Sequence, residues 1–181
     1  MTMSLVLGLG VARLLASSVD VFRSRHHAEI DWMPLAWAGI VFLWQLQYWW
    51  AIIELPEIIN VWTLAHFLIL VTLALLLFVA GALVLPGGPL KSGENLADSF
   101  NQDGRWAVAC LSGYFILAIY ADWFLWDQSV FSYSGALLVA LAVLPIVFLN
   151  ARSRSSQVGI TLVYVALSLW TAHELSPESY G

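Results

Sequence analysis

Charged side chains are scarce in this 181-residue chain, which has 7 Lys and Arg residues, 12 Asp and Glu residues, and 10% charged residues in all. A soluble domain carries about 25% charged residues. Soluble globules, disordered tails and nucleic-acid-binding domains all depend on charge that this chain lacks. Hydrophobic residues make up 61% of the chain. The composition indicates a protein embedded in a lipid bilayer, with no nucleic-acid partner.

Cysteine and catalytic motifs are also nearly missing. Cys110 is the single cysteine, which excludes an internal disulfide and a cysteine-based zinc or iron–sulfur site within one chain. The sequence has no phosphate-binding Gly-Lys loop, no His-Glu-x-x-His and no Gly-x-Ser-x-Gly. We therefore expect no enzymatic activity, and the sequence assigns no cofactor.

Six mostly apolar windows have about the 20 residues that a helix needs to cross the hydrocarbon layer of a membrane. They are Met3–Phe22, Met33–Ile53, Val61–Leu85, Trp106–Trp126, Phe131–Asn150 and Ser156–His173. The sequence thus predicts an all-α fold, with residues 1–181 forming a single transmembrane domain. Its architecture is a bundle of six transmembrane helices.

Local residues account for several of the predicted helix ends. Asp31 and Pro34 suit the first turn of the second helix, because a carboxylate and a proline are both favoured there. The run Leu85–Pro89 contains two prolines and two glycines, which end the third helix. Pro145 lies inside the fifth span and predicts a kink. Residues Glu94–Phe100 are expected to form a short interfacial helix.

The basic residues outside the spans all fall on one side of this topology. They are Arg23, Arg25, Lys91, Arg105, Arg152 and Arg154. Positively charged loops stay in the cytoplasm. Both termini are therefore expected on the non-cytoplasmic side, in a multi-pass protein of a cell membrane of the bacterial inner-membrane type.

The predicted outer side is acidic and rich in aromatic residues. Its acidic residues are Glu54, Glu57, Asp122, Asp127, Glu174 and Glu178, and its aromatic residues include Tyr48, Trp49, Trp50, Trp62, Trp123, Trp126 and Trp170. Aromatic rings at headgroup level form the usual membrane belt. The alternative is an aromatic and acidic vestibule that suits a cationic ligand through cation–π contacts.

Arg13 is the one basic residue inside a predicted span, about ten residues from either end, where it should not reach either surface. A central Arg costs about 2.5–3.5 kcal/mol, so it needs a partner or a wet cavity. One interpretation is an ion pair with Asp20 or Glu54, and the other is a place on a solute path. Gln45 and Gln47 also lie at depth, where amides either join helices or line a pore.

Histidines and carboxylates near the outer side suggest a second kind of site. His66, Glu57, His173 and Glu174 could converge into a proton relay or a metal site. No two histidines lie three or four residues apart on one helix. The metal hypothesis therefore has no support from local spacing.

Two functional hypotheses follow from these positions. The first is a small channel or transporter-like protein for an ion or small solute, assembled as a homo-oligomer. Its pathway or buried polar cluster would consist of Arg13, Asp20, Gln45, Gln47, Glu54 and Asp122. The second is a non-transporting membrane subunit, scaffold or sensor that docks a larger membrane complex through its Trp-rich surface. A polar cavity reaching Arg13 would favour the first hypothesis.

Overall fold

Helices form every regular element of the structure, a computed structural model that describes residues 2–58, 63–126 and 132–174. The six long helices are α1 (Thr2–Ser24), α2 (Trp32–Ile58), α3 (Leu64–Leu83), α5 (Arg105–Trp126), α6 (Tyr133–Asn150) and α7 (Arg154–Glu174). A short helix, α4 (Leu96–Ser99), continues through the π-helical turn Phe100–Gly104 into α5. The six helices predicted from hydropathy are confirmed, and their ends differ by a few residues.

Five of the long helices are long and apolar enough to cross a membrane. They are α1, α3, α5, α6 and α7. Helix α2 has 27 residues, but its tryptophans and the amides of Gln45 and Gln47 lower its hydropathy. The chain is therefore a multi-pass helical protein, and within the described residues α2 is the long helix that does not meet this combined criterion of length and hydropathy.

Side-chain caps fix several helix starts. The backbone N–H of Met33 donates to Asp31 Oδ1 at 2.9 Å, which confirms the predicted start of α2. Thr63 caps α3 by accepting from the His66 backbone N–H at 3.3 Å. Ser132 caps α6 in the same way. These caps satisfy N–H groups that a helix start leaves without a partner.

The six long helices close into a ring. Helix α1 contacts α2 and α3, α3 contacts α5, α5 contacts α6, α6 contacts α7, and α7 returns to α2. Helices α1, α3 and α6 finish at the end of the bundle where α2, α5 and α7 begin. We call this the basic end, because Arg23, Arg105 and Arg154 lie there, and we call the opposite end the acidic end.

Aromatic residues from α2 fill the middle of the ring. Trp37 stacks on Tyr164 of α7, with ring centroids 5.0 Å apart, and lies 4.9 Å from Phe148 of α6. Trp44 makes an edge contact with Phe115 of α5 at 4.8 Å. All five side chains are buried. The centre of the described bundle is packed with rings.

Helices α2 and α7 run in the same direction and pair at a fixed offset. The Trp37 indole N–H donates to Thr161 Oγ1 at 3.2 Å, and the Trp44 indole N–H donates to Ser168 Oγ at 3.4 Å. Both partners are seven residues apart on their own helix, which returns them to the same face after two turns. Each buried indole therefore has an acceptor, as a buried donor requires.

The loop between α3 and α5 covers the basic end of the bundle. Leu96 and Phe100 are buried, and Phe100 packs on Phe148 with ring centroids 6.2 Å apart. Backbone hydrogen bonds tie this loop to the turn after α1, where Glu29 N–H donates to the Glu94 carbonyl at 3.0 Å. The predicted helix Glu94–Phe100 is shorter in the structure, because its last residue already belongs to the π-helical turn.

Candidate functional site

A pocket of about 190 Å³ lies between α2, α5 and α6 in the half of the bundle nearer the acidic end. It is lined by Trp44, Gln47, Tyr48, Trp50, Ala51, Tyr114, Phe115, Ala118, Asp122 and Leu138. Helical spacing explains this set. On α5, Phe115, Ala118 and Asp122 are separated by three and four residues and so share one face.

Asp122 is the only acidic residue that lines this pocket, and it is partly buried. The single salt bridge in the described part of the chain joins Arg154 to Asp31 at the basic end. No salt bridge within the described residues therefore neutralises Asp122. Its carboxyl group shares the lining of the pocket with the side chains of Trp44, Tyr48, Trp50 and Tyr114.

Hydrogen bonds and ring contacts hold the aromatic side chains of the pocket in place. The Tyr48 hydroxyl donates to the Leu70 carbonyl of α3 at 2.5 Å, and its ring meets Tyr114 edge-on at 6.1 Å. Tyr114 in turn lies 5.1 Å from Phe115. Gln47 Nε2 donates to the Ala172 carbonyl of α7 at 2.8 Å. These contacts fix the rings before any ligand arrives.

The pocket has an exposed side and a closed side. Trp50 and Ala51 are exposed, whereas Trp44 and Phe115 are buried. Below them lie Trp37, Phe148 and Tyr164, which fill the ring toward the basic end. Within the described residues the pocket is therefore blind toward the basic end.

Arg13 extends from α1 to the loop that follows α3. Its Nη2 atom lies 2.7 Å from the position that a Cβ atom would take on Gly87, an exposed residue of that loop. The Arg13 guanidinium therefore lies beside this loop. Helix α3 ends at Leu83, so the loop returns beside α1, and Leu90 N–H donates to Ser24 Oγ at 3.0 Å. Arg13 lies outside the pocket.

Gln45 and Asp20 also lie away from the pocket. Gln45 is fully buried where α1 and α3 cross, and its Nε2 donates to the Leu77 carbonyl at 3.1 Å. Asp20 is partly buried in the last turns of α1, on the side of the basic end. Of the polar cluster predicted from the sequence, the described side chains bring together only Gln47 and Asp122.

The residues of the second predicted site have structural roles or lie apart. His66 Nδ1 accepts the Thr63 backbone N–H in the α3 cap, and its ring lies 5.6 Å from Phe124. His173 and Glu174 are exposed at the end of α7. The described residues contain no group of three His, Cys, Asp or Glu side chains that could hold a metal ion. The side chains of Glu54 and Glu57 lie outside the described part.

Sequence reasoning missed the walls of the pocket. It placed Tyr48 and Trp50 either in the membrane belt or in an aromatic vestibule, and it did not name Trp44, Tyr114 or Phe115. Tyr48 is buried, while Trp49, Trp123 and Trp170 are exposed as a belt requires. The spacing of Trp37, Trp44 and Tyr48 by seven and four residues was the available signal, because it places three rings on one helical face. The spacing does not show which helices that face contacts.

Comparisons with protein-family models, with curated proteins and with solved structures found no match.

Proposed function

We propose that this protein is a multi-pass membrane protein that binds a small organic cation in the pocket around Asp122. Its role would be that of a non-transporting sensor or subunit. The observation that carries this proposal is a pocket whose lining combines a single acidic side chain, Asp122, with the aromatic residues Trp44, Tyr48, Trp50 and Tyr114. Aromatic faces attract cations, and quaternary ammonium groups are the ligands most often bound this way.

The pocket's size and donors favour an organic cation over a metal ion. Its volume of about 190 Å³ equals that of about six water molecules in the liquid, and drug-sized ligands need about 300 Å³ or more. Calcium takes about six to eight oxygen ligands, whereas this pocket has one carboxylate. A small alkylammonium group satisfies the charge and the apolar walls together.

The packed centre of the bundle supports sensing over conduction. A channel through one chain would need a passage past Trp37, Phe148 and Tyr164, which are buried against one another. Hydrogen bonds from Trp37 and Trp44 to α7 hold this layer in place. The flux experiment below tests the transport hypothesis as the alternative.

Titration calorimetry with tetramethylammonium tests the binding site, with neutral tert-butanol as the uncharged probe. The wild-type protein should bind the cation and not the alcohol. Asp122→Asn should weaken cation binding at least about tenfold, since removing one partner of a buried charge pair costs about 2 kcal/mol or more. Glu174→Gln removes an exposed carboxylate from the same end and should leave the affinity unchanged. Equal affinity for wild type and Asp122→Asn would contradict the proposal.

Flux through liposomes separates a sensor from a transporter. Reconstituted protein should bind tetramethylammonium without carrying it across the membrane. Saturable flux that Asp122→Asn abolishes would favour the transporter-like alternative and reject the non-transporting role.

We further propose that all six long helices span the membrane, with both termini on the non-cytoplasmic side and the basic end in the cytoplasm. The support is the concentration of arginines at one end. In a Cys110→Ser background, Ser92→Cys at the basic end should react with a membrane-impermeant thiol reagent only from the cytoplasmic side. His173→Cys should react only from the other side, and the reverse pattern would invert the topology.

A further inference from the structure

A groove between α6 and α7 opens at the basic end of the bundle. It has a volume of about 600 Å³, and its floor and walls are mainly apolar residues of the two helices, including Leu144, Val147, Gly159, Ile160 and Val163. Val147 and Val163 are 45% and 56% exposed. Within the described structure this apolar surface faces outward, as a surface that meets lipid should.

Polarity changes along the groove. Asn150 is the last residue of α6, and Ser156 lies in the first turn of α7. Both residues are at the basic end and line the mouth of the groove. Leu144 and Val163 lie deeper, about 9 Å and about 10 Å further along their helices at 1.5 Å per residue. A ligand that fits must have a polar head at the turn and an apolar tail along the helices.

The mouth also carries positive charge. Arg152 lies in the turn between α6 and α7 and is exposed, and it forms no salt bridge with any described residue. The guanidinium of Arg105 binds the carbonyl of Leu149, next to Asn150. Arg154 is paired with Asp31. Arg152 follows the lining residue Ala151 directly, so it is the cationic side chain at the mouth that no salt bridge within the described residues neutralises.

We propose that this groove binds one anionic glycerophospholipid, with an acyl chain along Gly159 and its phosphate at Arg152. A zwitterionic lipid would add an ammonium group, and the lining of the groove contains no carboxylate to receive it. A free phosphate would leave the apolar groove empty. This inference is independent of the Asp122 pocket, which lies between other helices and near the other end.

Gly159 offers a direct way to fill the groove. A Cβ atom built on Gly159 would meet no atom within 4 Å, so a larger side chain can enter the groove without displacing protein. Gly39 in α2 is also exposed with no atom within 4 Å of its Cβ position. Gly159→Phe and Gly39→Phe therefore form a matched pair that adds the same ring inside and outside the groove.

Native mass spectrometry of the full chain, with phosphatidylglycerol and phosphatidylcholine of equal acyl length, tests the proposal. The wild type should prefer phosphatidylglycerol. Arg152→Gln should weaken its binding about fivefold, from about 1 kcal/mol per arginine near a lipid phosphate. Arg23→Gln on α1, which packs on α2 and α3, should not. Gly159→Phe should abolish the preference and Gly39→Phe should preserve it.

Three results would overturn the lipid site. They are equal binding of the two lipids by the wild type, an unchanged preference in both Arg152→Gln and Gly159→Phe, and displacement of phosphatidylglycerol by free glycerol phosphate at equal concentration. If Gly159→Phe fails to fold, which thermal unfolding detects, Arg152→Gln and its Arg23→Gln control decide the outcome.

Discussion

The amide nitrogen of Gln45 lies 2.7 Å from the position that a Cβ atom would take on Gly81. Gln45 cannot retreat easily, because the same nitrogen donates to the Leu77 carbonyl and the side chain is fully buried. Gly10 of α1 meets the same amide, at 3.0 Å from its own Cβ position. Two glycines thus make room for one amide where three helices meet.

Gly81→Ala should therefore destabilise the bundle. The added methyl group must displace a buried amide, and overpacking of this kind costs about 1–3 kcal/mol. Unfolding in SDS titrations should show the loss. Gly8→Ala is the matched control, since its Cβ position has no atom within 4 Å, and its free energy of unfolding should not fall.

Replacing Gln45 itself should have a small effect. Its Oε1 atom is buried without a hydrogen bond in the described structure, and removing a polar group together with its unsatisfied oxygen is close to neutral. Gln45→Met, which keeps the length of the side chain, should stay within about 1 kcal/mol of the wild type. A large loss of ligand binding in a stable Gln45→Met protein would instead assign Gln45 to a solute site.

Thr161→Val should leave the buried indole N–H of Trp37 without its acceptor. Interhelical hydrogen bonds in membrane proteins contribute about 0.6 kcal/mol on average and at most about 1.7 kcal/mol, so we expect a loss of about 1 kcal/mol. Thr72→Val is the control, because Thr72 is exposed and bonds only within its own helix. Equal unfolding free energies for the two variants would show that the Trp37 bond contributes nothing.

Gly104→Ala should disturb the cover of the basic end. A Cβ atom on Gly104 would collide with the ring of Phe100, which is buried against Phe148. We expect a loss of about 1–3 kcal/mol and faster proteolysis of the loop. Gly113→Ala, whose Cβ would lie 3.9 Å from Leu76, should tolerate the same change without loss.

Asp31 combines two roles that substitutions can separate. It caps α2 through Met33 N–H and pairs with Arg154. Asp31→Ala removes both and should cost about 1 kcal/mol, mainly through the cap. Asp31→Asn keeps a capping oxygen and should cost less, since an exposed ion pair contributes about 0–1 kcal/mol. The effect of Arg154→Gln should shrink at high salt, and a salt-independent effect would contradict this division.

The site was only partly predictable. Sequence reasoning grouped Gln47 and Asp122 in one polar cluster, and the structure brings both to one pocket. The same reasoning grouped them with Arg13, which instead contacts the Gly87 loop, and with Gln45, which faces α1 and α3. The position of a residue along a helix follows from its number. The side of the helix on which the residue lies does not identify the helix that it contacts.

The sequence by itself determined the number and the approximate limits of the long helices, and the concentration of arginines at one end of the bundle. Those properties are local, because the length of an apolar run, the cap at Asp31 and a run of Pro and Gly each affect only neighbouring residues. Only the tertiary structure decided the ring order, the pairing of Trp37 with Thr161, 124 positions away, and the wall of rings around Asp122. These features depend on which helix faces contact one another. Packing between segments that are distant in the sequence decides those contacts.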